Sequence, residues 1–124
     1  MQTKEFVKFL NKTLDIYRYK DYGPNGVQIE GKTEVNKVAF AVSATIDSIQ
    51  KSIDWGADAL VVHHGLFWKF HGARALKGPH GQRVKSLIKN DINLLGYHLP
   101  LDGHPTLGNA ASIAGMLNAN IKGG

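Results

Sequence analysis

The chain has 124 residues, of which 43% are hydrophobic, which is enough for one domain with a buried core and too few for two. It contains no cysteine, which excludes disulfides, thiolate metal sites and cysteine nucleophiles, so any metal ion must be held by nitrogen and oxygen ligands. The formal net charge of +5 favours anionic partners. The first residues lack the apolar segment of a signal peptide, and no apolar run approaches the roughly 20 residues that span a bilayer. We therefore expect a cytoplasmic protein with no membrane partner.

The first quarter of the chain predicts one helix and one strand. Apolar residues at helical spacing, with Thr3 as the cap, predict a helix over residues 3–15. Gly-Pro and Asn-Gly at 23–26 mark turns, and Asn25 is interpreted as a turn residue. The alternation that follows predicts a half-exposed strand over residues 27–30.

The rest of the chain alternates strands and helices. Strands are predicted at 37–42, 59–62 and 92–97, each followed by a helix, and the last helix begins near Asn109. Ser43 or Thr45 is expected to cap the helix that ends at Gly56. The next helix is expected to turn Val84, Leu87 and Ile88 inward. Strands joined through helices pair in parallel by right-handed crossovers, so the predicted fold class is α/β.

Two adjacent histidines, His63 and His64, directly follow the predicted strand 59–62. Sheets of this class bind ligands at the carboxyl ends of their strands, and imidazole is a favoured ligand of zinc, iron, nickel and copper. Because neighbouring side chains of an extended chain point to opposite sides, the pair suits two ions, or one ion and one hydrogen-bond partner. The alternative is a pair of loop histidines, one of them bonded to a carbonyl.

A second predicted strand, 92–97, delivers His98 and Asp102 to the same edge of the sheet, while Ser43 and Thr45 lie on the same rim. His98 can alternatively be structural or support a ligand from behind, and Asp102 can be a turn residue beside Gly103. The remaining histidines are predicted to be surface or substrate-side residues: His71, His80 and His104. The aromatic residues just past the pair are predicted to line the core or the pocket wall: Phe67 and Trp68.

Residues 69–89 carry six basic side chains and no carboxylate: Lys69, Arg74, Lys77, Arg83, Lys85 and Lys89. Such a stretch can steer the phosphates of a nucleotide, or bind nucleic acid weakly and in a salt-dependent way. The alternative is a solvated helix face and loop. No motif for reading a DNA sequence accompanies the charge.

Three segments, residues 22–31, 56–68 and 90–109, closely resemble the YbgI-like bacterial proteins. These belong to the Nif-three-like family, usually labelled GTP cyclohydrolase 1 type 2 homologues. The resemblance implies a three-layer α/β/α domain with a mostly parallel sheet, which is one half of a duplicated fold of two intertwined domains. The family's second half supplies a ligand pair spaced His-x-x-x-Glu, and this sequence has no such pair. Residues 1–124 are therefore interpreted as the N-terminal metal-binding domain alone.

The resemblance also implies a dinuclear site of divalent ions, such as iron, zinc or manganese, with His63, His64 and Asp102 as ligands, in a ring-shaped homohexamer. One hypothesis is a metal-dependent hydrolase of a nucleotide or related heterocycle. Activated water would attack a carbon such as purine C8, and His98 would carry protons. The other is a non-catalytic metal-binding or scaffold protein with protein or nucleic-acid partners. The absent ligand pair leaves open whether this chain is active alone.

Overall fold

In the computed structural model, which describes residues 1–18 and 20–100, a four-stranded sheet carries helices on both faces. The helices are α1 (Thr3–Thr13), α2 (Ile46–Trp55) and α3 (Gly78–Lys89). The strands are β1 (Gly26–Ile29), β2 (Val38–Ser43), β3 (Ala59–His64) and β4 (Asn93–Gly96), and short 3-10 turns cover Ile16–Arg18 and Lys69–His71. The helix predicted near residue 109 lies outside the described residues.

The sheet has the strand order β1-β4-β3-β2. The β2–β3 and β3–β4 pairs are parallel and joined through α2 and α3, whereas β1 runs antiparallel to β4. The α/β class and the mostly parallel sheet are therefore confirmed. The antiparallel β1–β4 pair brings the beginning of β1 beside the end of β4, with Gly26 opposite Gly96.

Two apolar clusters, one on each face of the sheet, make the domain three-layered. On one face α2 and α3 pack on alternate strand residues such as Leu60 and Leu94. On the other face α1 packs on the residues in between, including Ala59, Leu95 and Tyr97. Because successive strand residues point to opposite faces, one apolar run serves both clusters. The three-layer arrangement implied by the resemblance is confirmed.

Local sequence explains the ends of α2. The Thr45 hydroxyl accepts a hydrogen bond from the Ser48 N–H, and the Ser48 hydroxyl accepts one from the Thr45 N–H, both at 3.0 Å. This reciprocal pair satisfies two amides that the helix leaves unbonded. Gly56 ends the helix with a φ of 78°, in the left-handed region that glycine adopts without steric cost. The cap is therefore Thr45 rather than Ser43.

The limits of α1 differ from the prediction. Thr3 is the first helical residue rather than the cap, which is Gln2, and its hydroxyl donates to the Lys32 carbonyl at 2.5 Å. The predicted Thr3 cap is wrong because a bond to a distant segment takes this hydroxyl. The helix ends at Thr13, two residues before the predicted limit.

The buried stripe of α3 also differs from the prediction. Val84 and Leu87 are buried as expected, but Ile88 is 57% exposed. The stripe continues through His80 and Gly81 toward the start of the helix, which leaves Ile88 at its solvent edge. In the part of the chain that the structure describes, every helix is too short or too polar to cross a bilayer.

Candidate functional site

Three histidines meet at the carboxyl ends of β3 and β4. His63 and His64 are the last two residues of β3, and His98 lies two residues beyond β4. The ring centroid of His63 is 4.4 Å from that of His64 and 4.8 Å from that of His98. One ligand nitrogen from each ring lies within 4.8 Å of the others. This histidine cluster (His63, His64 and His98) could hold a metal ion.

The convergence of His63 and His64 differs from the alternation expected of an extended strand. Pairing between β3 and β4 ends where Val62 faces Gly96, whereas pairing with β2 continues to His64. Both histidines therefore extend past the paired residues of β4, although β2 still flanks His64. The two rings approach each other there in spite of the strand alternation, so the pair could also contribute to one ion, and the number of ions stays a prediction.

His98 is held from behind by a buried carboxylate. The Oδ1 atom of Asp21 lies 2.9 Å from His98 Nδ1, and the Asp21 side chain is only 2% exposed. Asp21 also accepts hydrogen bonds from the backbone N–H groups of Tyr22 at 2.7 Å and Leu99 at 2.8 Å, and from the Asn25 amide at 3.1 Å. The two backbone segments that flank the site are thus tied to one carboxylate.

These hydrogen bonds determine the charge of Asp21 and the tautomer of His98. Burial by itself would raise the pKa of Asp21. The hydrogen bonds that it accepts together hold the pKa below its ordinary value, and they come from His98, Leu99, Tyr22 and Asn25. An ionised carboxylate only accepts hydrogen bonds, so His98 Nδ1 carries a proton. The lone pair of a neutral His98 is then on Nε2, the nitrogen not engaged by Asp21.

Asn25 completes the support of His98. Its Oδ1 accepts a hydrogen bond from the His98 backbone N–H at 3.0 Å, while its amide donates to Asp21. The sequence interpretation of Asn25 as a turn residue missed this role, and it missed Asp21 altogether. The antiparallel pairing of β1 with β4 is the signal that would have found both, because it places residues 21–25 beside the end of β4.

Gln28 links the segment that follows β3 to the turn that precedes β1. Its Oε1 accepts from the Leu66 N–H at 2.9 Å, and its Nε2 donates to the Pro24 carbonyl at 3.0 Å. A Cβ atom on Gly65 would collide with this side chain, and one on Gly96 would lie 2.8 Å from Gln28 Nε2. A side chain at either position would displace the end of Gln28 and its hydrogen bonds, an interaction that sequence reasoning also missed.

The rim of the site includes a hydroxyl and an indole. Ser43 Oγ lies 3.2 Å from His64 Nδ1, as its predicted position on the same rim allows. The Trp68 ring lies 5.1 Å from the ring of His98 and 6.1 Å from that of His64, so it forms a wall of the site. Thr45, the other predicted rim residue, acts as the cap of α2.

The remaining predicted residues have different outcomes. Asp102 and His104 lie outside the described residues, so the approach of Asp102 to the cluster stays a prediction. His71 is exposed, with its Nδ1 atom 3.1 Å from Arg74 Nη1. His80 is only 2% exposed, which excludes the surface alternative and leaves the substrate-side one as a prediction. It lies on the inward stripe of α3, which the polar residues around it in the sequence did not indicate.

Comparison with known proteins gives a consistent set of relatives. A family model described as Duf34/NIF3 (NGG1p interacting factor 3) matches residues 1–122. The chain is 47% identical over 124 residues to a Vibrio cholerae protein, and 42% identical over 123 residues to one from Escherichia coli K12, each described as a GTP cyclohydrolase 1 type 2 homolog. The match covers 100% and 99% of this chain but 49% of each relative. The chain thus spans about half the length of the curated relatives it matches.

Solved structures show the same relation. A structure described as protein ybgI, of unknown function, has a TM-score of 0.94 at 42% identity, with 99% of this chain and 49% of that chain covered. A protein from Thermus thermophilus has a TM-score of 0.90 at 39% identity, with 94% and 48% covered. The described fold therefore corresponds to about half of each of these longer chains.

Proposed function

The chain belongs to the Duf34/NIF3 family, as its three sequence motifs predicted, and from this premise we propose that the histidine cluster binds divalent metal ions. The observation that carries the proposal is the approach of one ligand nitrogen from each of three histidines to within 4.8 Å. The contact between Asp21 and His98 adds support, because histidines at metal sites usually donate their second N–H to a carboxylate or carbonyl.

We assign His63 and His64 as ligands, with Asp102 as the predicted carboxylate ligand. A set of imidazole and carboxylate groups suits zinc, iron or manganese, and two ions at one site remain part of the proposal. A divalent ion held there would supply Lewis-acid polarisation and make water acidic enough to ionise near neutral pH. Nε2 of His98, oriented by Asp21, would join these ligands; the alternative is the predicted role of His98 as proton carrier, which requires Nε2 to be unbound.

The proposed reaction is hydrolysis of a nucleotide or related heterocycle. Its support is the description of the relatives as GTP cyclohydrolase 1 type 2 homologs. Because the chain spans about half of those relatives, the proposal concerns the chemistry of this site, and turnover needs direct measurement. A cytoplasmic location belongs to the same proposal, since a chain without cysteine has no need of an oxidising compartment.

Metal content per chain tests the binding proposal. Protein purified without chelator or affinity tag is expected to contain zinc, iron or manganese, and His63→Ala to lose it. His71→Ala is the matched control, because His71 is an exposed histidine outside the cluster. An unchanged metal content in His63→Ala, or an equal loss in the control, would contradict the assignment.

GTP hydrolysis by the metal-loaded protein tests the catalytic proposal. We expect His98→Ala to lose turnover together with metal affinity, since its Nε2 is part of the cluster that would hold the ion. Retained metal with lost turnover would instead leave His98 with the predicted role of proton carrier. Metal-loaded protein that hydrolyses neither GTP nor related nucleotides would contradict the hydrolase and leave the second candidate.

The second candidate is a non-catalytic metal-binding scaffold that assembles with copies of itself. Within the described residues β2 lies at the edge of the sheet, and its Phe40 and Val42 side chains are 73% and 71% exposed, which favours this candidate. An apolar edge strand is a surface that another chain can cover. Light scattering is expected to show an oligomer that Phe40→Lys disrupts and Tyr17→Lys, at another exposed aromatic residue, does not. A monomer at all concentrations would contradict self-association.

A further inference from the structure

A buried histidine outside the metal cluster has no hydrogen-bond partner within residues 1–18 and 20–100. His80, in the first turn of α3, is 2% exposed, and both of its ring nitrogens are buried and unbonded. Its one described ring contact is with Phe67, whose ring meets it edge-on at a centroid distance of 5.6 Å. Buried polar groups normally have partners, because a donor or acceptor removed from water without one is costly. The unbonded nitrogens of His80 therefore suggest a missing ligand.

Positive charge surrounds this histidine. Burial lowers the pKa of His80, and the nearby charges of Arg74, Arg83 and His71 lower it further. In the part of the chain that the structure describes, neither arginine forms an ion pair with a carboxylate. Three cationic or ionisable side chains of the described residues thus act on one buried ring.

Arg83 adds a further unbonded donor. Its Nη1 donates to the carbonyl of Ala44 at 3.3 Å, while its Nε is buried and has no partner among the described residues. A guanidinium presents several N–H groups in one plane, in a geometry that fits the oxygens of a phosphate. His80 also lies in the first turn of a twelve-residue helix, where the helix dipole favours negative charge.

We propose that His80, Arg83 and Arg74 form a binding site for a phosphate group. A phosphate has enough acceptor oxygens for the His80 N–H, the Arg83 Nε–H and the Arg74 guanidinium. It would neutralise the two arginines and give the buried donors the partners that they lack. Arg74 is exposed and Arg83 half-buried, so the site has a solvent-facing side at the arginines.

The phosphate site borders the histidine cluster. Ala44 contacts both sites through its backbone. Its carbonyl accepts a hydrogen bond from Arg83, and its N–H donates to the His64 carbonyl at 2.9 Å. Phe67, which contacts His80, follows His64 by three residues. One molecule could therefore place a phosphate at this site and another part at the cluster. The nucleotide as carrier rests on the proposed function, whereas the phosphate site rests on His80 and the arginines alone.

Titration of the metal-free chain with inorganic phosphate, in the presence of EDTA, tests the site. We expect saturable binding at low ionic strength, accompanied by a shift of the His80 ring nitrogen signals in NMR. Arg74→Gln and Arg83→Gln should each weaken binding by about tenfold or more, the effect of losing a hydrogen bond to a charged group. His80→Phe, which keeps a ring in the buried position, should weaken binding similarly.

Lys77→Gln is the matched control, because it removes the same charge from the same segment outside the proposed site. We expect it to change phosphate affinity less than about twofold, the size of a screened surface interaction. Absence of a His80 shift in folded protein would overturn the proposal, as would an equal loss of affinity in Lys77→Gln. Arg74 is exposed, so its variant tests the site even if changes at His80 or Arg83 prevent folding.

Guanosine and its 5′-monophosphate identify the carrier. A nucleotide is indicated if the monophosphate binds more tightly than phosphate and guanosine causes no shift of the His80 ring nitrogen signals. Equal affinity for monophosphate and phosphate would indicate free phosphate as the ligand. Because these titrations exclude metal, failure of the phosphate site is distinguishable from loss of metal in His63→Ala.

Discussion

Replacing Asp21 by asparagine should weaken metal binding without changing any residue of the histidine cluster. The substitution keeps the size of the side chain but removes its charge and turns one acceptor oxygen into an NH₂ donor. Asp21 accepts from four groups: His98 Nδ1, the Asn25 amide and the N–H groups of Tyr22 and Leu99. An amide cannot accept from all of them, so the orientation and proton position of His98 are no longer fixed.

The size of the effect follows from these contacts. Loss of a carboxylate behind a metal-site histidine typically weakens metal affinity by about 10–100-fold, or about 1.4–2.7 kcal/mol. At least one buried donor would also lose its acceptor, which costs about 1–3 kcal/mol of folding stability. The Asp21 side chain is 2% exposed, so water has little access to replace the lost partner.

Zn²⁺ titration against a competing chromophoric chelator measures the affinity, and urea unfolding in EDTA measures the stability separately. Asp47→Asn is the matched control, since this carboxylate is 78% exposed and pairs with Lys51 at the surface. Zinc affinity of Asp21→Asn within about twofold of the unchanged protein would refute the positioning role, since supporting residues normally contribute about tenfold or more. A drop in stability without a drop in affinity would leave Asp21 as a structural residue.

Three further outcomes concern stability. Hydrogen bonds from the Asn36 N–H, the Lys32 side chain and the Lys37 N–H lower the pKa of Asp58 to about 2. Asp58→Asn should therefore lower the free energy of unfolding in urea at pH 7 by about 2 kcal/mol. The stabilisation by ionised Asp58 is complete above the unfolded pKa of 3.8 and is lost as the pH falls toward 2. The free energies of unfolding of the two proteins should therefore converge near pH 2, and a difference that stays constant with pH would contradict this. Thr45→Ala should lower stability by about 1 kcal/mol through loss of the α2 cap, and an unchanged urea midpoint would contradict this. Gly65→Ala should cost about 1 kcal/mol, because its Cβ would push the flexible end of Gln28 away from the Leu66 N–H, and Gln28→Ala should relieve part of that cost; no relief would refute the steric cause.

Sequence alone determined those features that depend on neighbouring residues. Apolar periodicity identified the order of strands and helices, and the apolar run 59–62 placed His63 and His64 at a sheet edge. Thr45 and Gly56 were identifiable as helix ends because capping is an interaction within a few residues. The parallel pairing followed from the alternation of strands with helices.

Tertiary structure decided the features that join distant parts of the chain. Asp21 and His98 are 77 residues apart, and only the antiparallel pairing of β1 with β4 brings them together. The burial of His80 likewise depended on which side of α3 faces the sheet, which the polar sequence around it does not reveal. Local periodicity records the conformation of a segment, whereas hydrogen-bond partners, burial and pKa shifts depend on what packs against it. The histidine positions were therefore predictable, and the groups that orient and charge them were not.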